Sequence, residues 1–210
     1  MMPFTLILLA VISASIHIRA EYRGPRQRIY IFKPLTMLLI GLVAILGQGA
    51  PPFYKVMIIT GLVFSIMGDV FLMPPSDRFV AGLVAFLIAH LFYIGAFVPA
   101  IGAFRWWPLV PFALFGLGVY LYLAPSLGKL KLPVLLYVGV IMVMAWVAWE
   151  RWLQTGQSGA LLAAFGAVLF VISDTILALN RFRVPFKSAR FFNLTTYFTA
   201  QWLIAGSVGL

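Results

Sequence analysis

Apolar residues run along this chain in long blocks broken by short polar gaps, and the blocks have the length that a membrane demands. A helix crossing the hydrocarbon layer needs about 20 predominantly apolar residues, within a range of about 17–25. Eight blocks fit: residues 2–18, 34–50, 56–73, 79–101, 107–123, 132–149, 159–180 and 190–210. Prolines punctuate the joints, at Pro34, Pro51, Pro52, Pro74, Pro75, Pro108, Pro125, Pro133 and Pro185, as expected of residues that interrupt helical hydrogen bonding. Pro34 is expected in the first turn of the second helix, where a missing N–H is tolerated. Ser76 and Asp77 are expected to cap the fourth helix. No linker or low-complexity tract separates the blocks. The pattern predicts an all-α integral membrane bundle of about eight transmembrane helices, forming a single domain over residues 1–210.

Composition agrees. Hydrophobic residues make up 63% of the chain and charged residues 10%, against roughly a quarter charged in soluble domains, and the mean hydropathy is +1.06. Too little polar surface is left to coat a water-soluble globule. The absence of cysteine removes disulfides, thiol chemistry and cysteine metal sites. The opening segment MMPFTLILLAVISASIHIR lacks a basic leader and a small-residue cleavage site, so it reads as the first transmembrane helix rather than a signal peptide.

The net charge of +10 does not point to nucleic acid, because the basic residues sit at the ends of apolar blocks. Arg19, Arg23, Arg26, Arg28, Lys33, Arg78, Lys129, Lys131, Arg181, Arg183, Lys187 and Arg190 fall in or beside the odd-numbered loops; Lys55, Arg105 and Arg151 fall on the other side. The positive-inside rule places the odd loops in the cytoplasm of a multi-pass cell (inner) membrane protein. Both termini are then on the non-cytoplasmic side, and the alternation itself supports an even number of crossings.

Two segments, GLVFSIMGDVFL (61–72) and GAVLFVISDTIL (166–177), align without gaps and share a first Gly, a ninth Asp and a final Leu. They fit either a parallel internal repeat or chance similarity between apolar helices.

Three ionisable residues lie clear of the block ends: Asp69, His90 and Asp174. A charged side chain deep in a membrane helix costs at least about 2.5–3.5 kcal/mol, so the two acids need a reason. Both precede the cytoplasmic end of their block by a similar distance, which would let them face a shared polar pocket; the alternative is that each hydrogen-bonds a neighbouring helix. His90 lies near the bilayer middle, with Phe86 and Tyr93 on its helical face, and is a candidate for catalysis or for a structural hydrogen bond. His17 is expected at the interface. Asn193, Tyr197 and Gln201 form a stripe at four-residue spacing in the last block, and such groups must face the bundle interior because lipid offers them no partner. Lys33 is expected at the cytoplasmic interface, binding a lipid phosphate or extending to water. Trp106, Trp107, Trp146, Trp149 and Trp152 read as an aromatic belt, and Glu150 with Arg151 as a helix-end pair. No Walker loop, HExxH or GxSxG is present. Two aspartates and a histidine match no familiar metal-ligand spacing, so no metal or other cofactor is expected.

At these residues the chain resembles the YhhN-type lysoplasmalogenase family of polytopic membrane proteins. The resemblance is densest at GDVFL (68–72), FVAGLVAFLIAHLFY (79–93), SDTILAL (173–179) and TYFTAQWLIA (196–205), with KPLTMLL (33–39) resembling that family's second-helix start. It implies hydrolysis of the vinyl ether of a lysoplasmalogen to a fatty aldehyde and glycerophospho-choline or -ethanolamine. It further implies Asp69, Asp174 and His90 as catalytic positions, with Lys33, Tyr93, Tyr197 and Gln201 around the substrate. The polar stripe adds Asn193 to that set. The expected partners are a lysophospholipid substrate and the bilayer; the oligomeric state is not readable from the chain. The chemistry suits the residues, since protonating the β-carbon of a vinyl ether makes an oxocarbenium ion, and a second carboxylate can stabilise it and activate water. Ser173 and Thr175 flank Asp174 with hydroxyl donors suited to a carboxylate base, so Asp69 is assigned as proton donor and Asp174 as base. A small-molecule or proton-coupled transporter also accommodates buried acids and a repeat, and a non-enzymatic lipid-binding protein is the third reading.

Overall fold

The computed structural model describes residues 4–73 and 78–210. Among these residues are eight α-helices: α1 (Phe4–Arg23), α2 (Arg26–Leu46), α3 (Pro52–Leu72), α4 (Phe79–Phe97), α5 (Leu109–Leu123), α6 (Lys131–Thr155), α7 (Ser158–Phe182) and α8 (Ala189–Gly206). Among the described residues, seven are long and apolar enough to cross a membrane. The eighth, α8, is diluted by Arg190, Asn193, Thr196, Tyr197 and Gln201, the polar stripe that turns inward.

Helix ends differ from the apolar blocks where polar residues continue a helix beyond the lipid-like run. α2 begins at Arg26, because RQRIYIF is helical although its first residues are too polar for the hydrocarbon. Lys33 and Pro34 therefore lie inside α2, not at its start, and Pro34 leaves the Tyr30 carbonyl without its usual helical donor. Likewise α6 runs on to Thr155, so Glu150 and Arg151 are inside a helix rather than at its end. Ser76 and Asp77 lie outside the described residues.

Six helices close a ring in the order α2, α3, α4, α6, α7, α8 and back to α2, while α1 packs outside on α2 and α8, and α5 packs outside chiefly on α6. The core draws on all six ring helices. Large apolar side chains are exposed around the circumference, among them Leu9, Leu38, Val63, Leu114, Leu121 and Leu136, as lipid rather than water requires.

The tightest pairs are α3 with α4 and α7 with α8, and each depends on the first glycine of an aligned segment. A Cβ on Gly61 would run into the Tyr93 ring, and one on Gly166 would stand 2.8–2.9 Å from Ile204 and the Ala200 carbonyl. Glycine is what lets these backbones approach. The aligned segments thus occupy matching places, since each half of the chain has an outer helix (α1, α5) followed by three ring helices. Trp106 and Trp107 are exposed, whereas Trp146, Trp149 and Trp152 pack against the core.

Candidate active site

Asp69 stands one turn before the end of α3 and is 2% exposed. Its Oδ1 lies 3.0 Å from Lys33 Nζ on α2, and its Oδ2 accepts a 2.7 Å hydrogen bond from Tyr197 on α8. Three ring helices therefore meet at one carboxylate. Lys33, 12% exposed, is paired with this carboxylate and lines the same cavity. A buried carboxylate must be paired and hydrogen-bonded to be tolerated, and Lys33 two turns inside α2 is what provides the charge.

Asp174 on α7 accepts a short hydrogen bond from Tyr137 on α6. The flanking hydroxyls do not serve it. Ser173 donates to the Asn193 carbonyl at 3.1 Å, and Thr175 donates back to the Val171 carbonyl at 2.7 Å, so the local-donor argument for Asp174 as base fails. Helical serines and threonines commonly satisfy themselves on a carbonyl one turn back or on a neighbouring helix.

The two acids occupy matching places in the two halves. Lys33 precedes Asp69 by 36 residues and Tyr137 precedes Asp174 by 37, each partner on the ring helix before its acid. The third partner breaks the match. Tyr197 lies seven residues before Ile204, the residue against Gly166; the residue seven before Tyr93, against Gly61, is Phe86. Tyr197 donates to Asp69, while Phe86 has no hydroxyl to offer Asp174.

Both carboxylates line one cavity of about 490 Å³ inside the ring, at the end bearing the basic loops. Lys33, Asn193 and Tyr197 line it too, with Arg26, Arg181 and Arg190 at its rim beside Glu21. Asn193 donates to the Ser173 carbonyl at 2.9 Å, locking α8 to α7. A second, smaller pocket of about 60 Å³ is apolar and lies between α4, α5, α6 and α7. The two share Leu72, Phe79, Phe86, Asp174 and Leu177. Asp174 thus stands where polar and apolar compartments meet, and Asp69 lines the polar one alone.

Other expected site residues lie one layer back. Tyr93 donates to Gln201 at 2.8 Å, a buried pair one turn deeper than Tyr197. His90 lines neither cavity; it packs behind the wall with its ring 5.3 Å from Tyr137 and 4.7 Å from Phe170. His17 is fully buried, edge-on to Phe198. Among the described residues no three His, Cys, Asp or Glu side chains group as metal ligands. Sequence reasoning missed Tyr137, whose signal was a phenol in the middle of an apolar run, a group that needs a partner when buried. It also missed Arg26 and Arg190 as rim residues, having used their charges for topology alone.

The model of the YhhN family matches residues 28–208. The chain belongs to the YhhN family. It is 32% identical over 203 residues to an uncharacterized membrane protein YhhN of Escherichia coli O6:H1, covering 95% of this chain and 96% of that one. It is 40% identical over 153 residues to lysoplasmalogenase TMEM86A of Homo sapiens, covering 70% of this chain and 63% of the relative. With lysoplasmalogenase TMEM86B of Sus scrofa it shares 35% identity over 180 residues, 83% of this chain and 72% of the relative. No solved structure matches. Every residue of the cavity named above except Arg26 and Glu21 falls inside the family match.

Proposed function

We propose that this YhhN-family protein is a membrane-embedded lysoplasmalogenase-like hydrolase that cleaves the vinyl ether of a 1-alkenyl lysophospholipid. The observation that carries the reading is the pair of aspartates in one cavity, one of them at its junction with an apolar pocket. The substrate is polar at one end and apolar at the other, and its scissile bond lies at the boundary. The glycerophosphate group occupies the polar cavity, with Arg26 and Arg190 at the rim supplying charge-assisted hydrogen bonds to phosphate. Relatives named lysoplasmalogenases support the same chemistry.

Position assigns the acids in the opposite sense to the local-donor argument. In R–CH=CH–O–R′ the β-carbon is on the chain side and the α-carbon, bonded to oxygen, on the head-group side. Asp174, at the junction, donates its proton to the β-carbon. The α-carbon becomes an oxocarbenium centre that faces the carboxylate of Asp69, which is ion-paired to Lys33. Asp69 takes a proton from water as it adds to the α-carbon. The resulting hemiacetal collapses as its hydroxyl proton passes to Asp174 and Asp69 returns its proton to the departing glycerol oxygen, giving the fatty aldehyde and the glycerophospho-choline or -ethanolamine and restoring both acids. Water is consumed, and no oxidant or reductant is required.

The direct test gives purified protein a 1-alkenyl lysophospholipid and measures aldehyde release, with the 1-alkyl analogue as the uncleavable control. Aldehyde from the alkenyl lipid alone is the expected result. No aldehyde, together with solute or proton uptake in proteoliposomes, would replace the hydrolase with a transporter. We also propose that the cavity opens to the cytoplasm and that both termini are outside. A reporter that fluoresces only in the cytoplasm, fused after Leu210, should stay dark; fluorescence would reverse the orientation.

A further inference from the structure

The apolar pocket has a position that the two-acid reading alone does not explain. Its walls come from α4, α6 and α7 of the ring and from α5 outside it. Asp174 is its sole charged wall residue among those described. Val134 to Met142 on α6 mark its extent along the membrane normal, about 12 Å at 1.5 Å per residue. Its outer wall, α5, buries little: Gly116 and Leu123 are its buried residues, while Leu114, Leu117 and Leu121 face outward. α5 is held chiefly by packing on α6, where a Cβ on Gly116 would stand 2.6 Å from Met142. The pocket therefore shares a wall with the polar cavity on one side and is separated from the surrounding lipid by one helix with few buried residues on the other.

We propose that this pocket is the alkenyl-chain subsite, with the chain running from Asp174 between α6 and α7 beneath α5, and with Val119 and Met142 setting which chains fit. This rests on the hydrolase reading for the identity of the chain. The shared wall at Asp174 selects the occupant: a lysolipid whose phosphate lies at Arg26 and Arg190 and whose vinyl ether lies at Asp174 has this apolar space next to that acid. At about 60 Å³ the pocket holds the part of the chain next to the vinyl ether. The remainder passes beside α5 into the bilayer. Entry is lateral, along α5, so a single-chain lipid reaches the acids without leaving the membrane.

Two measurements test this, one of them independent of catalysis. First, a 1-alkyl lysophospholipid carrying a diazirine on the first half of its chain is photolysed with wild-type protein, and labelled peptides are identified by mass spectrometry. Labels should concentrate in residues 116–123 and 134–142. Labels spread over the outward faces of α1 and α2 would overturn the subsite. Because the alkyl ether is never cleaved, this result stands whether or not the hydrolase reading does. Second, Val119→Phe fills the pocket from the outer helix and Val119→Ala enlarges it. Methylene-scale changes in an apolar pocket change kcat/KM by about tenfold or more, so Val119→Phe should lose about tenfold on long alkenyl chains and little on very short ones, and Val119→Ala should shift the preference toward bulkier chains. An equal loss on both substrates in Val119→Phe, with aldehyde release by wild type intact, would refute the subsite and leave the hydrolase standing.

Discussion

Near the end of α3, Asp69 lines a cavity of about 490 Å³ with Lys33 and Tyr197. Fifteen residues earlier on the same helix, about 22 Å away along its axis, Tyr54 belongs to a cluster of another kind. Arg151 donates to the Tyr54 hydroxyl at 3.0 Å and lies over its ring, and Tyr54 pairs with Ser207 at 2.6 Å. Beside it Glu150, fully buried, takes a 2.6 Å contact from Arg105 and a 2.6 Å hydrogen bond from Gln154. Both ends of the bundle bury ionisable groups. At the Glu150 end the charges tie α6 to α3 and to the segment before α5, and they line neither cavity. At the Asp69 end they wall a cavity. A buried charge in a membrane bundle therefore signals function when it adjoins room for a substrate, and tertiary cross-linking when packing closes over it.

The comparison breaks most sharply at the acids. Asp69→Asn and Asp174→Asn should each lower turnover by about 10²-fold or more, the scale of general acid–base catalysis, while the protein remains folded and extractable. The two differ in pH profile: Asp174→Asn should lose the alkaline limb that reports the donor, and Asp69→Asn the acidic limb. The opposite order would restore Asp69 as proton donor. Wild-type turnover in either variant would make that aspartate a structural group like Glu150.

Lys33→Met comes next. It leaves a buried carboxylate without its cation, a change worth about 3–5 kcal/mol when a buried pair is broken. Both activity and thermal stability should fall, and Lys33→Arg should restore part of each. Loss of stability with full activity would move Lys33 into the cross-linking class.

Tyr137→Phe removes the hydrogen bond that Tyr137 donates to Asp174, which favours the carboxylate left after proton donation, and hydrogen bonds to charged groups are worth about 1.5–3 kcal/mol. Turnover should fall by about tenfold with a displaced alkaline limb and little change in melting. An unchanged pH profile would show that Tyr137 does not act through Asp174.

Glu150→Gln is the control at the far end and the smallest effect on activity. It should lower the melting temperature and leave kcat and KM unchanged, since Glu150 lines neither cavity. A tenfold loss of kcat would show that the two ends are coupled and erase the contrast.

The amino-acid sequence by itself determined the solvent and the fold class. Blocks of about 20 apolar residues admit helices alone in lipid, and an aspartate inside such a block stands out against its neighbours. The four-residue spacing of Asn193, Tyr197 and Gln201 determined that one face of α8 turns inward. Helical periodicity states which residues share a face but not which helix that face meets. Whether Ser173 would serve Asp174 or Asn193, whether Lys33 would reach lipid or Asp69, and whether Glu150 would pair with Arg151 or Arg105 were decided by packing. Those contacts join residues 20 to 45 positions apart, and each competes with local partners of equal chemical fitness. The matching positions of Lys33 and Tyr137 became visible once the ring of helices closed, because the two share no residue type. What they share is a place beside an acid, and place is a property of the tertiary structure.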